Sequence, residues 1–143
     1  MAVYIEDIRF NKLFGFLDTL DLAANHITDI DLNYFPEIRN LNLTNNGLYV
    51  LECMLCGKLE SINISQNQII VLNLPDTLGY CIYFNAGNAN FLEGGTTLSV
   101  IEKLSANSVY SGNLFLVGNA PPDAWPVPDP RSILRSRGWT LDI

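Results

Sequence analysis

The sequence predicts an α/β solenoid, mainly β, in which short coils stack into a single domain spanning residues 1–143. Three observations predict it. Asn25, Asn46, Asn67 and Asn88 lie 21 residues apart at each step. An apolar scaffold recurs around the first three of them with every position filled. The chain is 48% hydrophobic and 16% charged, a composition that buries a core instead of staying disordered. Its length suits one such core.

Residues 17–79 form three regular units. The first carries Leu17, Leu20, Leu22, Asn25, Ile27, Ile30 and Leu32. The second carries Ile38, Leu41, Leu43, Asn46, Leu48, Leu51 and Cys53, and the third Leu59, Ile62, Ile64, Asn67, Ile69, Leu72 and Leu74. A coil of this size cannot bury its apolar side alone, so successive coils must stack. The alternation of each unit is a short strand, apolar side chains inward and the residues between them outward. Stacking lays these strands into a short parallel sheet. A second alternation closes each unit, at Ile30-Asp31-Leu32, Leu51-Glu52-Cys53 and Leu72-Asn73-Leu74. The repeated asparagine falls where the chain leaves the strand and backbone groups lose their partners. A short amide supplies donors and an acceptor together, so stacked Asn side chains form a buried ladder. Its expected rungs are Asn25, Asn46, Asn67, Asn88 and Asn119.

Residues 1–16 are expected to cap the first coil with Val3, Ile5, Ile8, Phe10 and Phe14. Residues 80–119 are irregular. Tyr80, Tyr83 and Asn88 keep register, but Asn85, Asn90, Glu93 and Gly95 stand where earlier units are apolar. A slip of one residue makes Ile82 and Phe84 the inward pair. Gly94-Gly95 breaks the chain. Leu98, Ile101 and Leu104 then predict a short amphipathic helix over residues 96–106, with Thr96 or Thr97 as N-cap. A fifth strand follows over residues 113–117, with Ser111 opening the unit. The helix stretches the interval between ladder residues Asn88 and Asn119 to 31 residues. Residues 120–143 are the C-terminal cap. Their prolines at 121, 122, 126 and 128 dictate an extended loop. Asp129 caps a helix with Pro130 in its first position, Gly138 stops it, and residues 139–143 alternate as a last edge strand.

The units match L-x-x-L-x-L-x-x-N-x-L, and the chain resembles the leucine-rich repeats. It is most similar to the nested 21-residue type of bacterial and phage proteins, whose two half-units both read L-x-L. The resemblance covers residues 17–79 closely and the rest loosely. It implies a leucine-rich-repeat coil stack with an irregular fourth repeat and a helix–strand C-terminal cap. The ending Arg137-Gly138-Trp139-Thr140 is similar to the helix-then-strand terminus of such proteins. The functional expectation is a non-enzymatic interaction or structural module, a component of a larger assembly such as a phage virion (a decoration, tail or attachment protein). Its partners would be copies of itself or other virion subunits. The alternative is a bacterial recognition module that binds a host protein or surface glycan through its polar sheet face. The N-terminus does not read as a signal peptide, so the expected location is virion or cytoplasm, or extracellular if a leader was removed.

No residue pattern argues for catalysis, a metal or a cofactor. Cys53-Met54-Leu55-Cys56 has C-x-x-C spacing, but it lacks a second pair, and Cys53 is an inward position. Three cysteines are too few and too odd in number for a disulfide framework. His26 has no placed Ser or Cys partner. A net charge of −7 argues against phosphate-backbone binding, and no apolar run is long enough to span a bilayer. What remains is the outward face of the strands. Thr19, Asp21, Ala23, Asn40, Asn42, Thr44, Ser61, Asn63 and Ser65 make it small and polar. Phe115, Phe84 or Tyr83, and Val117 turn it apolar toward the C-terminal end. The candidate interaction residues are therefore Asn40, Asn42, Ser61, Asn63, Tyr83, Phe84, Phe115 and Val117. Trp125 in the proline-rich loop joins them, since Trp is common at binding hot spots. The basic trio Arg131, Arg135 and Arg137 is either a solvated helix face or a dock for an acidic neighbour.

Overall fold

The computed structural model describes residues 4–88 and 90–143, so Val3 of the N-terminal cap lies outside the described residues. The chain winds as a mainly β parallel solenoid with, among the described residues, two α-helices and a short 3-10 turn at Leu32–Tyr34. The described residues hold nine three-residue strands: β1 (Thr19–Asp21), β2 (Asp29–Asp31), β3 (Asn40–Asn42), β4 (Val50–Glu52), β5 (Ser61–Asn63), β6 (Val71–Asn73), β7 (Tyr83–Asn85), β8 (Asn113–Phe115) and β9 (Thr140–Asp142). The helices are α1 (Gly94–Ala106) and α2 (Pro130–Ser136).

Two parallel sheets run along the stack. The larger has the order β1-β3-β5-β7-β8-β9 and the smaller β2-β4-β6. The register puts Leu20, Leu41, Ile62, Phe84, Leu114 and Leu141 side by side in one column. Ile30, Leu51 and Leu72 form the matching column of the smaller sheet. These side chains face each other through the coil, and the buried core runs from Ile27 to Trp139. The closing alternation of each unit is therefore a strand in its own right. Tight turns before the larger sheet repeat as well: Ile38, Leu59 and Cys81 donate their N–H groups to Phe35, Cys56 and Leu78.

The fourth coil departs from the expected register. Tyr83 pairs with Ser61, one residue beyond the 21-residue step. The slip brings Phe84 inward as expected, but Ile82 is exposed, and Cys81, Phe84 and Ala86 fill the coil. A large ring beside a small methyl replaces the two mid-sized side chains of earlier coils. In place of a fourth strand in the smaller sheet stands α1, which buries Thr97, Val100, Ile101, Leu104 and Ser105. The helix starts at Gly94, with Glu93 at the N-cap, so neither Thr96 nor Thr97 caps it and Gly94-Gly95 is its first turn instead of a break. Only glycine fits there, because a Cβ on Gly94 would come within 2.4 Å of the Pro121 carbonyl oxygen. Lys103 Nζ and Asn107 Nδ2 reach back to the carbonyls of Pro75 and Leu78, tying both parts of the coil together.

The C-terminal cap follows its sequence closely. Asp129 accepts from Arg131 N at 2.9 Å, Pro130 occupies the first turn of α2, and Gly138 ends it with φ +80°. β9 is the last strand of the larger sheet. At the other end Ile8, Phe10 and Phe14 pack on the core, and Phe10 and Phe14 cluster against Phe35. Ile5 is exposed, but its backbone bonds Asn25 Oδ1 and the His26 N–H.

Candidate functional site

The asparagine ladder fixes the geometry of the open face, because it sets where each strand ends. Asn46 accepts from Ile27 N and donates to the carbonyls of Leu22 and Leu43. Asn67 does the same with Leu48 N, Leu43 and Ile64, and Asn119 with Leu92 N, Ala86 and Leu116. Asn25 is the first rung, bonded to Ile5 N and to the carbonyls of Leu22 and Ala23. The fourth rung is Asn90, not Asn88: Asn90 is buried, accepts from Ile69 N and donates to Ile64 and Ala86. Asn88 is exposed in a left-handed conformation, φ +57°. It shares that turn position with Ala24, Asn45 and Gln66, at φ 56°, 57° and 55°. Asn tolerates it better than most residues.

A second polar row, which the sequence reading missed, runs along the outer face. Asp21, Asn42, Asn63 and Asn85 each turn a side-chain oxygen onto the N–H two residues ahead, at 3.0, 3.2, 3.3 and 3.0 Å. These are Asx turns, and they close the ends of the strands. Its signal was present in the 21-residue spacing of Asp21, Asn42 and Asn63. Asn42 Nδ2 also donates to Asp21 at 3.2 Å, and Asn63 Oδ1 accepts from Ser65 Oγ at 2.8 Å. The oxygens of Asn42 and Asn63 are thus committed to the fold, and their amide nitrogens lie along the face.

Five of the candidate residues come together. Asn40, Asn42, Ser61, Asn63 and Tyr83 line one shallow groove of about 360 Å³ over the larger sheet, with Thr19 and Asp21 at its far end. Asn40 is exposed, and the others are half-buried. Tyr83 and Phe115 stand next to each other past the polar floor, ring centroids 5.8 Å apart and planes tilted by 52°. Asn85 Nδ2 donates to Tyr83 Oη at 3.3 Å, which holds the phenol in place. Val117 is exposed further along the chain.

Phe84 and Trp125 do not join this site. Phe84 is fully buried, because period-two alternation sends it inward when Tyr83 faces out. Trp125 is half-buried against the core at the C-terminal cap, and the guanidinium of Arg131 lies 3.5 Å above its ring. Nor is the basic trio a free patch. Arg131 grips both oxygens of Asp129, and Arg137 donates to the carbonyls of Ser105 and Asn107 at the C-terminal end of α1. Its charge suits that end of the helix. Arg135 is exposed.

The thiols are built into the core. Cys53, Cys56 and Cys81 are buried and unpaired with one another, and their Sγ atoms contact the carbonyls of Asn73, Leu32 and Tyr83. Burial pushes the Cys56 and Cys81 thiols up to about 12 and raises Cys53 as well. They stay protonated at neutral pH, the form that neither attacks nor ligates. His26 is exposed and stacks on Tyr4, centroids 4.2 Å apart. Among the described residues no three His, Cys, Asp or Glu side chains cluster as a metal site requires, and no helix is long and apolar enough to cross a membrane.

Set against protein-family models, curated proteins and solved structures, the chain matches none of them.

Proposed function

We propose that the chain is a non-enzymatic interaction module that binds a protein partner on the open face of its larger sheet. The observation that carries this reading is the groove over β1, β3, β5 and β7, where Asn40, Asn42, Ser61 and Asn63 offer hydrogen-bonding atoms beside the ring of Tyr83. Short polar side chains on rigid strands lose little entropy when a partner docks, and an adjoining Tyr supplies contact area. The buried, protonated thiols support a role without catalysis. The repeat's resemblance to leucine-rich repeats is a further support, since such solenoids present sheet faces to partners. The setting of a larger assembly such as a phage virion, and the roles of decoration, tail or receptor attachment, rest on that resemblance alone. A second reading, binding of a surface glycan, is favoured by Tyr83 standing beside amides, an arrangement that stacks on a sugar ring and bonds its hydroxyls.

The clean test blocks the face without touching the turns. Asn42 and Asn63 close Asx turns, so their replacement disturbs the fold. Asn40→Arg, Ser61→Arg and Tyr83→Ala leave those bonds intact. The unmodified chain is examined by light scattering for self-association and on glycan and protein arrays for partners. The proposal expects binding to a protein that all three variants lose at unchanged melting temperature. Binding to glycans alone would replace it with the second reading, and protein binding indifferent to all three substitutions would overturn it.

A further inference from the structure

The smaller sheet has an outer face of its own, and its chemistry changes from coil to coil. The outward positions of β2 are Asp29 and Asp31, those of β4 are Val50 and Glu52, and those of β6 are Val71 and Asn73. The residue entering each strand is exposed as well: Thr28, Tyr49 and Ile70. Tyr49 N donates to the Thr28 carbonyl and Ile70 N to that of Tyr49, so these three also form a column. Tyr49, Ile70 and Val71 are 41% to 52% exposed and Val50 is half-buried, which puts four apolar side chains together on two adjoining coils. The fold does not require them. The first coil fills the same two positions with Thr28 and Asp29, and the matching row of the larger sheet is Thr19, Asn40 and Ser61. Single exposed apolar residues are ordinary, but a contiguous group at positions that accept polar ones marks a contact surface.

Carboxylates frame the group. Asp29 and Asp31 stand on the coil before it, and Glu52 shares the outer face of β4 with Val50. The outward positions of the three strands hold no lysine or arginine. Arg9, which shares a recess with Asp29 and Asp31, is paired with Asp7 at 3.1 Å. Asp31 accepts from Asn33 N and Glu52 from Asn73 Nδ2, bonds that leave both charges in place. Among the described residues, none of the three carboxylates has a cationic partner.

We infer that this face docks a basic, apolar segment of a partner protein. Its apolar side chains cover Tyr49, Val50, Ile70 and Val71, and its lysines or arginines meet Asp29, Asp31 and Glu52. Charge decides the occupant. A second copy of this chain carries −7, and an anionic lipid surface is negative too, so the acidic row repels both. It attracts a basic segment, and an apolar centre with a charged rim is the usual anatomy of an interface. The surface is separate from the groove over the larger sheet and does not depend on it.

The test titrates the full chain with three heptapeptides, followed through its backbone N–H resonances. The first is two lysines, leucine, threonine, leucine and two lysines. The second has glutamates for the lysines, and the third serines for the leucines. The expected result is saturable shifts at Tyr49, Val50, Ile70 and Val71 with the first peptide, binding about tenfold weaker for the other two, and loosening with added salt. Asp29→Asn/Asp31→Asn/Glu52→Gln keeps the bonds to Asn33 and Asn73, removes the charge and should weaken the lysine peptide about tenfold. Ile70→Thr/Val71→Thr removes the apolar centre and should weaken it by about as much, with core resonances unchanged in both variants. Shifts confined to Asn40, Ser61 and Tyr83, equal binding of the glutamate or serine peptide, or indifference to either variant would each overturn the inference. So would the absence of saturable shifts, or self-association lost in Ile70→Thr/Val71→Thr, which would give the face to a second copy.

Discussion

Replacing Asn67 with leucine removes four hydrogen bonds, yet the structure predicts a cost close to that of one. The carbonyls it loses have other donors: Leu43 keeps Asn46 Nδ2, Ile64 keeps Asn90 Nδ2, and Ser65 keeps the Asn45 N–H. Only the Leu48 N–H, served by Asn67 Oδ1 at 3.2 Å in the core, is left without a partner. Leaving one buried donor unmet costs about 1–3 kcal/mol. Asn25→Leu is the control. Its acceptor role serves Ile5, an exposed residue whose N–H turns to water, so its cost should be the smaller of the two. Urea unfolding of the two variants, with the slope checked for constancy, measures both numbers. Equal losses for Asn25→Leu and Asn67→Leu, or a loss for Asn67→Leu near the sum of four bonds, would refute the shared-carbonyl reasoning.

Three further outcomes follow from the same geometry. Asn90→Leu should destabilise by about 1–3 kcal/mol, whereas Asn88→Gly should be neutral or stabilising, because Asn88 holds a positive φ that glycine adopts freely; thermal melts of the pair decide which residue is the rung. Gly112→Ala places a methyl 2.5 Å from the Trp139 ring and should cost about 1–3 kcal/mol by overpacking, visible as a lower midpoint and a shifted indole signal. The Arg131 side chain, hydrogen-bonded to Asp129, holds that carboxyl below the ordinary value of 3.8. A folded pKa depressed in this way gives stability that is complete above the unfolded value and fades as pH falls through the folded one. A carboxyl titration by NMR should therefore find Asp129 low in the unmodified chain and nearer its ordinary value in Arg131→Gln.

The three regular coils were legible because two periods coincide in them, 21 residues between coils and two within strands. The fourth was not, since the 21-residue step pointed at Asn88 while the ladder had moved to Asn90, 23 residues after Asn67. Asn67 reaches a carbonyl three residues back and Asn90 one four residues back, so a single fixed motif cannot describe both. Ile82 was misplaced for a related reason: pairing it with Phe84 obeyed strand alternation but ignored the tight turn that buries Cys81. At the site, spacing identified the polar face correctly, yet it could not separate Asn40 and Ser61, which are free on the face, from Asn42 and Asn63, whose oxygens close turns. Trp125 was expected as a contact residue from its place in the proline-rich loop and the frequency of Trp at hot spots. Arg131 stacks on its ring, through a contact six residues away that no periodicity reports.

The larger sheet offers one open, polar face over a core of buried side chains. Thiol labelling of the folded protein tests this most directly, comparing the unmodified chain with Tyr83→Cys and Ser61→Cys. The introduced thiols should react at the rate of an accessible cysteine, while Cys53, Cys56 and Cys81 react only after unfolding. Native thiols labelled at the same rate as the introduced ones, or introduced thiols as silent as the native three, would contradict it.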